Sequence, residues 1–172
     1  MEKLFLVVMA MVFTMPFFTG HTAEAAAKGR ILLVASSQQT MSLKNGTKMD
    51  VGFYLNELAV PAQYLAKQGY EIIMATPSGA RPVMDASSNS AKFFGGSEAE
   101  RAQAQAFTEK LPVISLKKAN EELAHFDAIF IPGGHAPMTD LMQAEELGNA
   151  LRYFHKQGKP TAAICHGPVA LL

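Results

Sequence analysis

Two apolar segments on either side of a helical pattern constrain the fold more than any other feature of the sequence. Residues 31–35 form a continuous apolar run without polar alternation, which favours a parallel strand covered on both faces, and residues 70–75 form a second strand. Between them, apolar residues of segment 51–68 recur in three- and four-residue steps, as in a helix that packs on a core. A strand, a helix and a strand in about 45 residues form a βαβ unit, which predicts a parallel sheet with a right-handed crossover.

The rest of the sequence continues this alternation. We expect two more parallel strands and a short edge strand, at residues 126–131, 161–164 and 113–116. Further helices are expected at residues 97–110, 118–124 and 147–154, the first opened by a capping box of Ser97 and Glu100. We expect irregular segments at residues 36–49 and 81–96, with a turn at Asn45-Gly46. With 172 residues and 49% hydrophobic content, the chain has room for one α/β domain with a core.

The first 27 residues differ in composition from the remainder. They contain an apolar block of about 15 residues, with Pro16 near its end, followed by small residues in Ala-x-Ala spacing. This block is shorter than the roughly 20 residues needed to span a bilayer. We therefore predict a secretory signal peptide at residues 1–27, cleaved after Ala25 or Ala27, with an uncleaved anchor as the alternative. Residues 28–172 would then form a periplasmic or secreted domain with no stable membrane insertion.

Charge and motif content exclude several classes of partner. The 15 basic and 15 acidic residues cancel, so no electrostatic argument supports binding to nucleic acid or to an anionic membrane surface. Small molecules or proteins are the expected partners. The sequence has no GxGxxG motif, no Walker loop and no Cys-x-x-Cys pair, so neither a nucleotide cofactor nor a redox disulfide is supported.

The single cysteine, Cys165, follows the last predicted strand and precedes Gly167-Pro168, a favourable start for a helix. A helix N-terminus favours thiolate over thiol, so Cys165 is either a reactive nucleophile or a small buried apolar residue. Gly133 and Gly134 follow the neighbouring predicted strand and either form an ordinary tight turn or leave N–H donors free for an oxyanion. Both loops leave the carboxyl ends of parallel strands, where ligands bind in open α/β sheets, and this favours the functional interpretation.

One carboxylate and two histidines are further candidates. Glu57 lies in the first helix, which we expect to be kinked by Pro61, and it either points toward a crevice or is an exposed helix carboxylate. His135 and His166 could join Cys165 around a metal, but no recognised ligand spacing supports one. We expect no metal and no cofactor.

Three of these motifs together resemble a known family. Ala163-Ile-Cys-His-Gly-Pro168 resembles the nucleophile elbow of the DJ-1/PfpI superfamily, and Ile131-Pro-Gly-Gly-His-Ala-Pro-Met-Thr-Asp-Leu141 is similar to the glycine loop of its Hsp31-like branch. Glu57, followed by Pro61 and Gly69, is similar to the first-helix signature of that family. The motifs occur in the family's order over residues 30–172. Any one of them is weak evidence, but jointly they are strong.

The resemblance implies a flavodoxin-like three-layer α/β sandwich, related to class I glutamine amidotransferases. It implies that Cys165 is the nucleophile, that Glu57 hydrogen-bonds its sulfur and that His166 is the general acid/base. The glycine loop, Gly133 and Gly134, would bind substrate, with the N–H groups of Gly134 and His166 forming the oxyanion site. A protonated Glu57 would stabilise the thiolate by donating a hydrogen bond.

The activities reported in this branch set the functional expectations. They are cofactor-independent conversion of methylglyoxal to lactate, deglycation of proteins, aminopeptidase activity and chaperone (holdase) activity. We expect the glyoxalase-like chemistry, acting on a small reactive aldehyde or on a protein, and a homodimer for the full-length protein. The alternative is an exported holdase or a redox-sensing pseudoenzyme. The family continues beyond the elbow with more strands and an acidic residue that orients the histidine, so we expect the 172-residue chain to be a truncated part.

Overall fold

A five-stranded parallel sheet forms the centre of the molecule. The computed structural model describes residues 27–172, so all but the last residue of the predicted signal peptide lies outside it. The sheet has the order β5-β4-β1-β6-β7. Its strands are β1 (Gly29–Val34), β4 (Tyr70–Thr76), β5 (Val113–Ser115), β6 (Ala128–Ile131) and β7 (Thr161–Ala163). This confirms the predicted α/β class, and the short edge strand lies where the sequence predicts it.

Helices cover both faces of the sheet. They are α1 (Leu55–Lys67), α2 (Glu98–Lys110), α3 (Leu116–Glu121), α4 (Pro137–Asp140) and α5 (Glu145–Lys156), with several short 3-10 turns between them. Leu33 of β1 packs with α1 and α2, whereas its neighbour Leu32 packs with α3 and α5. Successive residues of a strand point to opposite faces, and both of these side chains are fully buried because helices cover each face. The absence of polar alternation in β1 thus reflects a strand covered on both sides, in a three-layer sandwich.

The helix predicted from residue 51 begins later, at Leu55, so that part of the prediction is wrong. Residues 51–54 are extended instead, and Phe53 forms isolated bridges with Met84 and with Gly134. Gly52 lies so close to the backbone of Met84 and Asp85 that a Cβ there would overlap it. Segment 51–54 therefore ties two later loops together before α1 starts.

The segment predicted as a loop at residues 36–49 contains a small hairpin. Strands β2 (Thr40–Ser42) and β3 (Lys48–Asp50) pair in antiparallel register, with Gly46 at a φ of 84° in the connecting turn. The predicted turn is confirmed, but the two strands were missed because three-residue strands have no periodicity to detect. The helix expected at residues 118–124 is divided between α3 and a 3-10 turn at Leu123–His125. No helix of the described residues is both long enough and apolar enough to cross a bilayer.

The capping box predicted for α2 is half formed. The Ser97 hydroxyl accepts a hydrogen bond of 3.2 Å from the Glu100 N–H. We expect Ser97→Ala to lower the free energy of unfolding by about 1 kcal/mol, because this N–H loses its acceptor. Ser90→Ala is the matched control: Ser90 precedes the 3-10 turn Ala91–Phe94 but its side chain makes no capping bond. Urea unfolding of both variants checks the prediction, and equal losses would contradict it.

Candidate functional site

Cys165 lies in a strained turn at the carboxyl end of the sheet. It follows β7, and its φ of 56° makes it the one non-glycine residue with positive φ among residues 27–172. The turn is tight, since the Ile164 N–H donates to the carbonyl of Ile131 at 3.1 Å and the Gly167 N–H donates to the carbonyl of Ile164 at 2.8 Å. A side chain at Gly167 would overlap the Ile131 carbonyl. Strain of this kind is concentrated at functional sites, and here it leaves the cysteine exposed.

The helix predicted after Cys165 is a short 3-10 helix, Gly167–Leu171, with Pro168 in its first turn. The strand-to-turn-to-helix arrangement is therefore confirmed, but the helix is not an α-helix.

His166 is oriented by the glycine loop. Its Nδ1 lies 3.0 Å from the Gly134 carbonyl oxygen and 3.7 Å from the Cys165 Sγ. A carbonyl can only accept, so the shorter contact places a proton on Nδ1. In the neutral ring, Nε2 is then the free acceptor. The sulfur can share the Nδ1 proton but cannot pass its own proton to that nitrogen.

Glu57 approaches the same point from the other side. It lies in the first turn of α1, and its Oε2 is buried without a hydrogen-bond partner. A Cβ built on Gly133 would overlap both Glu57 Oε2 and Cys165 Cβ and would lie 3.0 Å from Cys165 Sγ. Gly133 is thus the spacer that lets a carboxyl and a thiol converge. The hydrogen bond from Glu57 to sulfur that the resemblance implies is not formed in this conformation.

The glycine loop also leaves backbone donors available. Gly134 has a φ of 100° and packs so closely on the Gly52 carbonyl that no side chain fits there. The Gly133 carbonyl accepts from the Tyr54 N–H at 3.3 Å. Among the described residues, no hydrogen bond uses the N–H of Gly134 or of His166. The site therefore combines a thiol, a carboxyl, an imidazole and two free amide donors.

A carboxylate–imidazole pair that the sequence did not predict borders this site. His135 Nδ1 lies 3.1 Å from Oδ2 of Asp85, and the two residues are 50 positions apart. Burial on its own would raise the pKa of Asp85, but hydrogen bonds from Ser87 and from His135 outweigh it and hold this pKa below its usual value. The Asp-x-Ser pattern of Asp85 and Ser87 could have identified a turn, but nothing local identifies His135 as a partner.

Next to this pair lies a cleft of about 780 Å³ between the β2–β3 hairpin and the loop 83–87. His135 is one of its lining residues, and the walls are mainly apolar, with the carboxylates of Asp50 and Asp85 among them. No three His, Cys, Asp or Glu side chains of residues 27–172 come together in a way that could hold a metal ion.

Two curated proteins illustrate what the chain is similar to. The glutathione-independent glyoxalase hsp3101 of Schizosaccharomyces pombe is 33% identical over 152 residues, which are 85% of this chain and 59% of that protein. The protein/nucleic acid deglycase HchA of Pseudomonas aeruginosa is 26% identical over 165 residues, 90% of this chain and 54% of the relative. The chain thus spans a little more than half the length of these curated relatives.

Solved structures give the same fold. Glyoxalase III from Candida albicans matches with a TM-score of 0.60 at 24% identity, over 83% of this chain and 59% of that one. The Rapid Encystment Protein of Francisella tularensis matches with a TM-score of 0.65 at 21% identity, over 83% of this chain and 61% of that one. The profile of the DJ-1/PfpI family matches residues 49–172. Because this match covers Glu57, the glycine loop and the cysteine turn in one continuous stretch, the chain belongs to the DJ-1/PfpI family.

Proposed function

We propose that the protein converts methylglyoxal to lactate without glutathione, with Cys165 as the nucleophile. The observation that carries the proposal is the convergence of Cys165, Glu57 and His166 around Gly133 and Gly134. An exposed thiol in a strained turn, beside a buried carboxyl, is suited to adding to a carbonyl carbon. A glyoxalase and a deglycase among the relatives support chemistry on reactive carbonyls.

The first step forms a carbon–sulfur bond. The Cys165 thiolate adds to the aldehyde carbon, and the aldehyde oxygen takes up a proton to give a hemithioacetal. The unpaired N–H groups of Gly134 and His166 would bind that oxygen while it carries negative charge. Glu57 takes the proton of the Cys165 thiol and then donates a hydrogen bond that stabilises the thiolate before it attacks.

The second step moves a hydrogen between adjacent carbons. His166, through its free Nε2, removes the proton from the former aldehyde carbon, and a proton is returned to the neighbouring keto carbon through an enediol. The aldehyde carbon is oxidised and the keto carbon is reduced, so no external oxidant is needed. Water then cleaves the lactate thioester, which breaks the carbon–sulfur bond and releases the thiol.

The test uses the fact that the chain contains one cysteine. Purified protein with methylglyoxal in D₂O, without glutathione, should form lactate that carries deuterium at C2, as detected by NMR. Protein alkylated beforehand with iodoacetamide, and Cys165→Ser, should form none above the buffer background.

Two outcomes would overturn the proposal. Lactate formed equally by the alkylated protein would remove Cys165 from the reaction. No lactate from the wild type, together with aggregation suppression that survives Cys165→Ser, would instead support a chaperone. The predicted homodimer and the predicted export stay predictions.

A further inference from the structure

A second imidazole faces the cysteine site from the side of the cleft. The rings of His135 and His166 have centroids 5.4 Å apart and are inclined by 37°. The side chain of His135 is 37% exposed, whereas that of Asp85 is 8% exposed. The Nδ1 edge of the His135 ring therefore lies against a buried carboxylate, and its other edge is open to a ligand.

The surroundings of Asp85 fix which nitrogen of His135 carries the proton. Oδ1 of Asp85 accepts from the N–H of Ser87 at 3.0 Å and from its hydroxyl at 2.7 Å, while Oδ2 faces His135. An ionised carboxylate can only accept, so Nδ1 of His135 must donate to it. The neutral ring then presents Nε2 as an acceptor. A carboxylate that fixes a histidine tautomer in this way orients the imidazole for chemistry at the other nitrogen.

The position of His135 links the cleft to the reacting sulfur. It lines the cleft of about 780 Å³, and its ring neighbours that of His166, whose Nδ1 is 3.7 Å from Cys165 Sγ. A hydroxyl on a small adduct held by Cys165 is the kind of donor that a free imidazole nitrogen on this side would bind.

We propose that His135 contacts the substrate through Nε2, accepting a hydrogen bond from a hydroxyl of the adduct on Cys165, and that Asp85 is its positioning residue. The inference rests on the proposed glyoxalase function. It assigns to His135 a contact that is distinct from the acid/base role given to His166.

Two substitutions at His135 separate its two nitrogens. His135→Asn keeps a donor near the position of Nδ1, and so keeps the contact with Asp85, but it cannot reach the position of Nε2. His135→Gln reaches the position of Nε2. We expect kcat for lactate formation to fall about 10-fold in His135→Asn, because a hydrogen bond between neutral groups contributes up to about that factor. His135→Gln should recover a substantial part of that loss.

Asp85→Asn tests the positioning role, because asparagine still caps the turn Ala86–Ser88 but no longer fixes the tautomer of His135. We expect kcat to fall about 10-fold with little change in KM, while the rate of Cys165 alkylation by iodoacetamide stays at the wild-type value. Asp127→Asn is the matched control, since Asp127 is an exposed carboxylate that also accepts a backbone N–H, that of Arg30 at 2.7 Å, but precedes β6 and does not line the cleft. It should leave all three quantities unchanged.

The outcomes distinguish this inference from the proposed function. A wild type without glyoxalase activity defeats the proposed function itself. An active wild type whose kcat is unaffected by His135→Asn defeats only the role of His135. Equal losses in His135→Asn and His135→Gln, accompanied by slower alkylation, would show a structural role and overturn the inference.

Discussion

Gly133→Ala is expected to lower lactate formation about 100-fold or more while leaving the fold intact. The added Cβ would overlap Cys165 Cβ and Glu57 Oε2 and would lie 3.0 Å from Cys165 Sγ. The thiol and the carboxyl must therefore move apart, and a displacement of about 1 Å can cost on the order of 10²-fold in rate. Gly133 does not have a positive φ, so alanine fits its backbone conformation and the damage stays at the site.

Gly148→Ala is the matched control for this prediction. Gly148 lies in α5, where an added Cβ meets only the flexible end of Arg152, at 3.3 Å. Alanine there should leave activity unchanged and raise stability by up to about 1 kcal/mol, because glycine is unfavourable inside a helix. Lactate formation and urea unfolding of both variants are the measurements. A Gly133→Ala protein within threefold of wild-type activity would show that the close approach of Cys165 and Glu57 at Gly133 is not needed.

The sheet could be predicted from the sequence because its central strands are buried on both faces. The segments 31–35, 70–75 and 126–131 are apolar without strict alternation, and all three form interior strands of the observed sheet. The meeting of the glycine loop with Cys165 follows from the same reasoning. Strands β6 and β7 pair in parallel, with Ile131 opposite Ala163, so the residues that follow them emerge side by side.

The contacts between distant loops could not be predicted in this way. The segment 51–54 has apolar residues that fit the spacing of a helix, but backbone pairing of Phe53 with Met84 and Gly134 keeps it extended. That pairing brings Asp85 against His135 from 50 positions away. Local propensity carries no information about a partner so distant, so neither the late start of α1 nor the Asp85–His135 pair could be predicted.

The extended segment 51–54 also positions several groups of the site at once. Its backbone contacts the loop before Asp85 and the loop containing Gly134, and α1 begins immediately after it, with Glu57 in the first turn. The same few residues thus set the positions of Glu57, of the glycine loop and of the Asp85–His135 pair. Substitutions that disturb Gly52 or Phe53 should act on the whole site rather than on one group.

Glu57→Met is expected to stabilise the fold and to inactivate the site. Glu57 Oε2 is buried without a hydrogen-bond partner, and such an atom costs about 1–3 kcal/mol of stability. Methionine has a similar length and a flexible apolar side chain, so it can fill the space without a polar atom. We expect the free energy of unfolding to rise by about 1 kcal/mol. Lactate formation should fall about 100-fold, because the thiolate loses the group that stabilises it.

Glu100→Met is the control for this last prediction. Glu100 also lies in the first turn of a helix, α2, but it is exposed. Like Glu57 it interacts favourably with a helix N-terminus, but unlike Glu57 it has no buried oxygen atom. Its replacement should lower stability by a few tenths of a kcal/mol and leave activity unchanged. Urea unfolding and lactate formation are measured on both variants. A Glu57→Met protein that is both more stable and fully active would show that Glu57 takes no part in the reaction.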